Sequence, residues 1–398
     1  MEDFVFKTMT SSFALLVLYI VIRFVNNIWW RPRSTEKLLR QQGIRGSSYK
    51  LFNGDISDMK NSALKASSKA ISLNHQIVPR VIPFIHKMVQ QHGNVSLCWF
   101  GRRPRLIVVD AELTRLVLTN KNGHFTKPPR NPLVKILTQG LSSLEGEAWT
   151  KRRRLVTSAF QLQKLKAMVP AFSSSCHNMI QRWEKLVEPN GSFELDVSSE
   201  FDVLAGDVIA RTAFGSSYQE GKKIFELQKE QAILARAEVL GIFGKKAPDF
   251  EGINHLKIVS MILYEVLRLY PPITVINKYN WCETRVGNMS IPAGVEVCLP
   301  LLLLHYDGNY WEKPEEFNPV RFTEGVSKAS KDHIAFYPFG WGPRICPGQN
   351  FAFLEAKMAL ATILQHFSFQ LSPSYAHAPS NSITLKPQFG APIVIRRI

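Results

Sequence analysis

One cysteine, Cys346, stands in the stretch FYPFGWGPRICPGQNFAFLEAKMALATIL (336–364), between Arg344 and Pro347 and flanked by Gly342 and Gly348. No second cysteine is near enough for a disulfide or a zinc knuckle, and no adjacent histidine could activate it as a nucleophile. Phe351, Leu354, Met358, Ala361 and Leu364 follow at helical spacing, so the thiol lies just ahead of a buried helix N-terminus. The dipole and free N–H groups of such a terminus favour an anion, and a thiolate held there is a good soft metal ligand. Gly342 and Gly348 allow the backbone to approach something large and flat. Phe339 can shield the sulfur, and Arg344 supplies a cation for an acidic group. The competing reading is a buried structural cysteine at a helix start.

Two more pairs carry charge at telling intervals. In EVLRLYPP, Glu265 and Arg268 stand at i,i+3 on one helix face, ahead of a Pro-Pro stop. In GEAWTKRRRLVTSAF, Trp149 and Arg153 stand at i,i+4, so both can approach one acidic group. Taken singly, each is an ordinary solvated helix pair.

The complete spacing F-x-x-G-x-R-x-C-x-G, made by Phe339, Gly342, Arg344, Cys346 and Gly348, closely resembles the haem-binding signature of the cytochromes P-450. That resemblance displaces the structural reading of Cys346. It implies that Cys346 is the axial ligand of a haem iron and the catalytic centre. It implies that Trp149, Arg153 and Arg344 contact the haem propionates, with Phe339, Gly342 and Gly348 shaping the pocket. Glu265, Arg268 and Arg321 (in EEFNPVRF) would form a buried ionic cluster supporting the loop. The implied cofactor is haem b, with O₂ as co-substrate. Electrons would come from NADPH through NADPH–cytochrome P-450 reductase, docked on a basic surface that includes Lys151, Arg152 and Arg154. The wording of KPPRNPLVKILTQGLSSLEGEAWTKRRRLVTSAF, RTAFGSSYQEGKKIFELQKEQ and MILYEVLRLYPP is similar to the plant clan that includes secologanin synthase. Members of that clan oxidise terpenoids and related lipophilic molecules on the endoplasmic reticulum.

One expected piece is absent from the sequence. Between Trp149 and Glu265 the family carries a distal helix with A/G-G-x-D/E-T, whose acid and threonine deliver protons to oxygen. The nearest match, LAGDVIART, has Ala205, Gly206 and Asp207 but Val208 in the threonine position, and its neighbours place it in an earlier, structural helix. The chain instead runs from FELQKEQAIL into ARAEVLGIFGKKAPDFEG, with a join near Leu234–Ala235. A distal helix of about 30 residues is roughly 45 Å long. With its flanking helices and loops, the missing block is on the order of a hundred residues. Two expectations follow: a monooxygenase acting on a lipophilic, terpenoid substrate, or a catalytically impaired shortened form that retains at most haem binding.

The elements that must position these residues read as mainly α with small β-sheets, an incomplete cytochrome P-450 fold behind an N-terminal membrane anchor. Helical periodicity covers 111–118, 162–187, 203–212, 254–269 and 349–366, and 74–91 is amphipathic. NVSLCWFGRRPRLIVVD reads as a hairpin, 291–304 as a turn entering a strand, and ITLKPQFGAPIVIRRI as a terminal hairpin around Gly390. The expected domains are the anchor (1–30), a basic linker (31–50) and a catalytic domain (51–398) with an internal deletion near 234–235.

Thr8 to Trp30 carries one charge, Arg23, and about 20 apolar residues span a bilayer. Arg31, Arg33, Lys37, Arg40 and Arg45 follow, which keeps the C-terminal side cytosolic in a single-pass membrane protein; the clan resemblance implies that the membrane is that of the endoplasmic reticulum. A cleaved signal peptide competes, but no small-residue cleavage site follows. Five scattered cysteines argue against a disulfide framework and fit a reducing compartment. The net charge of +17 suits an acidic partner protein and anionic membrane lipid. Its dispersal, and a GWGPRI that lacks the last glycine of a phosphate loop, argue against nucleic acid.

Overall fold

Helices carry most of the chain, where the 3.6-residue periodicity places them. The computed structural model describes residues 2–120, 123–129, 140–188, 191–214, 229–331, 334–381 and 384–398. The segments RNPLVKILTQ (130–139) and SSYQEGKKIFEL (216–227), which carry part of the clan resemblance, therefore lie almost wholly outside the described residues. The chain divides into two units. One comprises Met1–Lys65, Pro83–Arg130 and Val275–Pro300, and the other Ala66–Ile82, Asn131–Thr274 and Leu301–Ile398.

The smaller unit begins with a helix, Glu2–Val25, that continues through a π-helical turn, Asn26–Trp30, into Arg31–Gln41. Phe13, Leu15, Leu16, Ile20, Ile22 and Phe24 are all exposed, so this stretch of the helix is apolar around its circumference and no described residue buries it. It is long and apolar enough to cross a membrane. Beyond it, β1 (Arg45–Gly46), β2 (Val95–Phe100), β3 (Arg103–Val108), β4 (Phe125–Thr126), β6 (Ile276–Asn280) and β9 (Glu296–Leu299) form a sheet in the order β1-β2-β3-β9-β6-β4. The expected hairpin is β2–β3, with Leu97 opposite Leu106 and Trp99 opposite Pro104. Its two-residue turn opens with Gly101 at φ +62°, the left-handed start that matches the twist of the strands.

In the larger unit, the long helix Leu162–Leu186 packs Phe172, Met179 and Trp183 into the main core. Pro170 lies within it without ending it. The helices Lys257–Leu269 and Gln349–His366 add Val259, Ile262, Met358 and Ile363 to the same core. The amphipathic stretch 74–91 is broken by prolines into Val78–Val81, in this unit, and Pro83–His92, which belongs to the smaller unit. The stretch 254–269 is broken at Leu256, where ψ of 86° interrupts the helix.

The tail departs from expectation. The strand β13 (Pro392–Arg397) does not fold back on β12 (Leu385–Pro387). It pairs instead with β10 (Phe367–Leu371) and β5 (Ser192–Asp196), while β12 pairs with β11 (Pro379–Asn381). Asp196 is the reason: its Oδ1 accepts the Ala391 N–H at 2.8 Å and draws the chain after Gly390 onto β5.

Leu234 and Ala235, where the join is expected, lie inside a single helix, Lys229–Phe243. Ala235 and Val239 are buried on one face of it. From that helix Glu238 reaches the start of Lys257–Leu269. Its Oε1 accepts the N–H groups of Lys257 (2.6 Å) and Ile258 (2.8 Å), and its Oε2 that of Val259 (3.0 Å). Three of the four orphan donors of that terminus are thereby satisfied by one carboxylate.

Candidate active site

The Cys346 loop is held by its own backbone. Gly340 (φ +74°) and Gly342 (φ +68°) take left-handed conformations, and a short 3₁₀ turn covers Gly342–Arg344. Ile345 N–H then donates to Gly342 O at 3.1 Å and Cys346 N–H to Phe339 O at 2.9 Å. The helix Gln349–His366 opens at Gly348 without a capping side chain. Cys346 is half-buried there, a free thiol. A Cβ placed on Gly348 would lie 4.0 Å from Cys346 Sγ and 3.6 Å from the Phe160 ring. Those are ordinary contacts, so Gly348 lies between the thiol and the Phe160 ring. Phe160 packs edge-on against Phe351, and Phe351 against Phe172, which ties the loop to the core.

Trp149 and Arg153 lie on the helix Gly146–Ala159. The structure brings Arg344 to this helix: its guanidinium stacks over the Trp149 ring at 4.0 Å, and its Nη1 donates to Leu144 O at 2.9 Å. Its other arm pairs with Glu145, a residue that no spacing pattern had marked. Burial lowers the pKa of Arg344, the Arg153 charge adds to this, and Glu145 opposes both. One carboxylate, Glu145, thus pairs with Arg344, while Arg153 adds a second positive charge close enough to be felt at Arg344. Among the described residues, Arg153 and the Trp149 indole N–H donate to no partner, and the surplus of positive charge suits further acidic groups. A free thiol at a helix opening, beside these unspent donors, fits a flat, iron-bearing, dicarboxylate ligand such as haem.

Glu265 and Arg268 are fully buried. Arg268 grips Glu265 with two hydrogen bonds of 2.8 Å, and Arg321 Nε approaches Glu265 Oε1 at 3.2 Å. The remaining donors of Arg268 reach the carbonyls of His305 and Pro314 (2.7 Å each) and Glu316 (3.2 Å). The three residues therefore meet in one saturated cluster.

His305 links that cluster to the Cys346 loop. Its Nδ1 lies 3.0 Å from Arg268 O, and its Nε2 accepts the Tyr337 N–H at 3.1 Å. An accepting Nε2 requires the proton on Nδ1, which then donates to Arg268 O. Burial, reinforced by the Arg268 charge, holds the imidazole neutral, with its pKa lowered to about 3. No motif marked His305, because it recognises two backbone groups that have no signature in residue type.

Asp207, in the near-match to the distal motif, is spent on an ion pair with Arg211 at 2.7 Å, and Val208 is buried. Among the described residues no helix carries the acid–threonine pattern. Burial pushes the thiols of Cys98, Cys176 and Cys298 up, the last two to about 12, which leaves them inert.

The cytochrome P-450 family model matches residues 75–235 and 230–389. Cytochrome P-450 CYP72A616 of Paris polyphylla is 38% identical over 517 aligned positions, covering all of both chains. Secologanin synthase 1 of Catharanthus roseus is 35% identical over 517 positions, covering 100% of this chain and 99% of its own. The 7-deoxyloganic acid hydroxylase of the same plant is 36% identical over 513 positions, covering 97% and 98%. This chain supplies 398 residues to alignments of up to 517 positions, so more than a hundred positions have no counterpart in it. The chain belongs to the cytochrome P-450 family, a family of haem-dependent monooxygenases.

Proposed function

We propose that this chain is a membrane-anchored haem-thiolate protein of the terpenoid-oxidising plant clan, in which Cys346 would hold the iron of haem b. The observation that carries this reading is the free, half-buried thiol at the opening of Gln349–His366, beside the unspent donors of Trp149 and Arg153. When bound, the haem activates O₂ with electrons from NADPH, delivered by a reductase, and one oxygen atom enters a substrate C–H bond. The rest is the work of the chain. Cys346 supplies the anionic sulfur; Trp149, Arg153 and Arg344 neutralise and orient the propionates. Glu265, Arg268 and Arg321, relayed through His305, fix the loop so that the sulfur does not swing. The names of two relatives, secologanin synthase and 7-deoxyloganic acid hydroxylase, support a terpenoid substrate.

We place the deletion near Leu234–Ala235. The family match supports this, because it splits into two segments that meet at residues 230–235. The same observation favours a second reading, a catalytically impaired form. A chain without the distal block lacks the acid and threonine that hand protons to oxygen, and it loses the dry cavity over the site. The anchor and the basic residues after it support a cytosolic catalytic part on the endoplasmic reticulum.

The test is the reduced-plus-CO difference spectrum of the chain expressed in membranes. A thiolate-type Soret band, lost in Cys346→Ser, is the expected result. A flat spectrum with protein present on a blot overturns haem binding. A band without NADPH-driven product, in the presence of reductase and a terpenoid panel, selects the impaired form.

A further inference from the structure

A second recess, of about 510 Å³, lies behind the Cys346 loop. Phe339, Gly340, Trp341 and Ile345 of the loop contribute to its wall, but Cys346, Trp149 and Arg153 do not. Other walls include Phe250, Tyr264, Phe353 and Lys357, from three different helices. The rings are mutually packed: Tyr264 and Phe353 lie 4.8 Å apart between centroids, and Phe339 and Phe353 5.8 Å. Lys357 follows Phe353 by four residues, so its stem rises along the same helix face.

Among the described residues Lys357 makes no ion pair and no hydrogen bond. The carboxylate whose field reaches it, Glu238, has both oxygens committed to the N–H groups of Lys257, Ile258 and Val259. Burial lowers the Lys357 pKa, and Glu238 opposes this only in part. An ammonium with no direct ion pair in an aromatic recess is costly, and an anion bound against it lowers that cost. At the rim, Lys166 stands over the Phe250 ring at 5.0 Å, which adds positive potential.

We propose that this recess binds a lipophilic monocarboxylate, with its carboxylate paired to Lys357 and its apolar body laid on the Phe250, Tyr264 and Phe353 rings. The volume falls within the range of small-molecule pockets, roughly 300–1,000 Å³. One ammonium matches one negative charge, whereas a phosphate dianion would find half the cation it needs. The recess shares wall residues with the Cys346 loop but not the thiol, so its test is read on Lys357 and can fail independently of the Cys346 reading.

The test is calorimetric titration of the full chain in nanodiscs with decanoate and with decanol, after subtraction of empty nanodiscs. Decanoate is expected to bind at least about tenfold tighter than decanol. Lys357→Gln should remove that preference while leaving decanol binding unchanged, and Lys357→Arg should retain it. Asn350→Trp, which fills the recess, should abolish binding of both. Equal binding of the two probes to the wild type overturns the proposal. So does a preference that survives Lys357→Gln, or binding that survives Asn350→Trp, which would locate the probe elsewhere.

Discussion

Glu265 is a single carboxylate holding Arg268 and Arg321, with no solvent at the bidentate contact. Glu265→Ala leaves Arg268 as an uncompensated buried charge, a change expected to cost about 3–5 kcal/mol. Urea unfolding followed by circular dichroism reads this directly; a loss below 1 kcal/mol would mean that the cluster is solvated. The i,i+3 pair was legible in the sequence. Its saturation by three carbonyls was not, because backbone acceptors leave no trace in residue type. Glu355, on the Gln349–His366 helix, is a half-buried carboxyl. Burial pushes its carboxyl up from 4.5 to about 7. The folded chain therefore holds this proton more tightly than the unfolded one. The resulting stability is complete below pH 4.5 and is lost as the pH rises through 7. The full loss is about 3 kcal/mol. Glu355→Gln should match the wild type near pH 4.5 and exceed it above pH 7; parallel stability–pH curves would show that Glu355 is ionised in the fold.

The helix Lys229–Phe243 caps the start of the helix Lys257–Leu269. Glu238 satisfies three N–H groups at the start of Lys257–Leu269, the helix that presents Glu265 and Arg268. Glu238→Ala returns those donors to water and removes an anion from a helix N-terminus, at an expected cost of about 1–2 kcal/mol. Glu238→Gln keeps an acceptor and should lose less. Comparison of the two by thermal unfolding separates the hydrogen bonds from the charge, and equal behaviour of both variants would assign the effect to charge alone. At this scale the sequence was legible wherever periodicity ran unbroken: the span 349–366 matches the helix end to end. It was not legible at Leu256, nor in the tail after Gly390. There the outcome depends on partners far along the chain, Glu238 in one case and Asp196 in the other. Such choices are tertiary, and a local pattern does not carry them.

Across the whole molecule, the distribution of apolar surface separates one segment from all others. The Glu2–Val25 helix exposes Phe13, Leu15, Leu16, Ile20, Ile22 and Phe24 in every direction, whereas the equally apolar Phe172, Met179 and Trp183 of the longer Leu162–Leu186 helix are buried. Just beyond it Arg33 stacks on the Trp29 ring at 3.6 Å, an arrangement suited to a membrane–water boundary. Two forces would then hold the chain to a bilayer, and they respond to salt in opposite ways. Attraction of the basic residues after Trp30 to anionic headgroups is screened at 1 M salt, where the Debye length is about 3 Å. Burial of apolar side chains is not weakened by salt. If the helix inserts, the full chain stays in the membrane pellet after 1 M NaCl and after alkaline carbonate, and deletion of residues 1–30 moves it to the supernatant under high salt. Release of the full chain by salt alone would reduce the attachment to its charges. Retention of the deleted chain under both washes would move the anchoring surface to the body of the protein, where Leu155 and Leu162 are the exposed apolar residues flanking the Trp149 helix terminus.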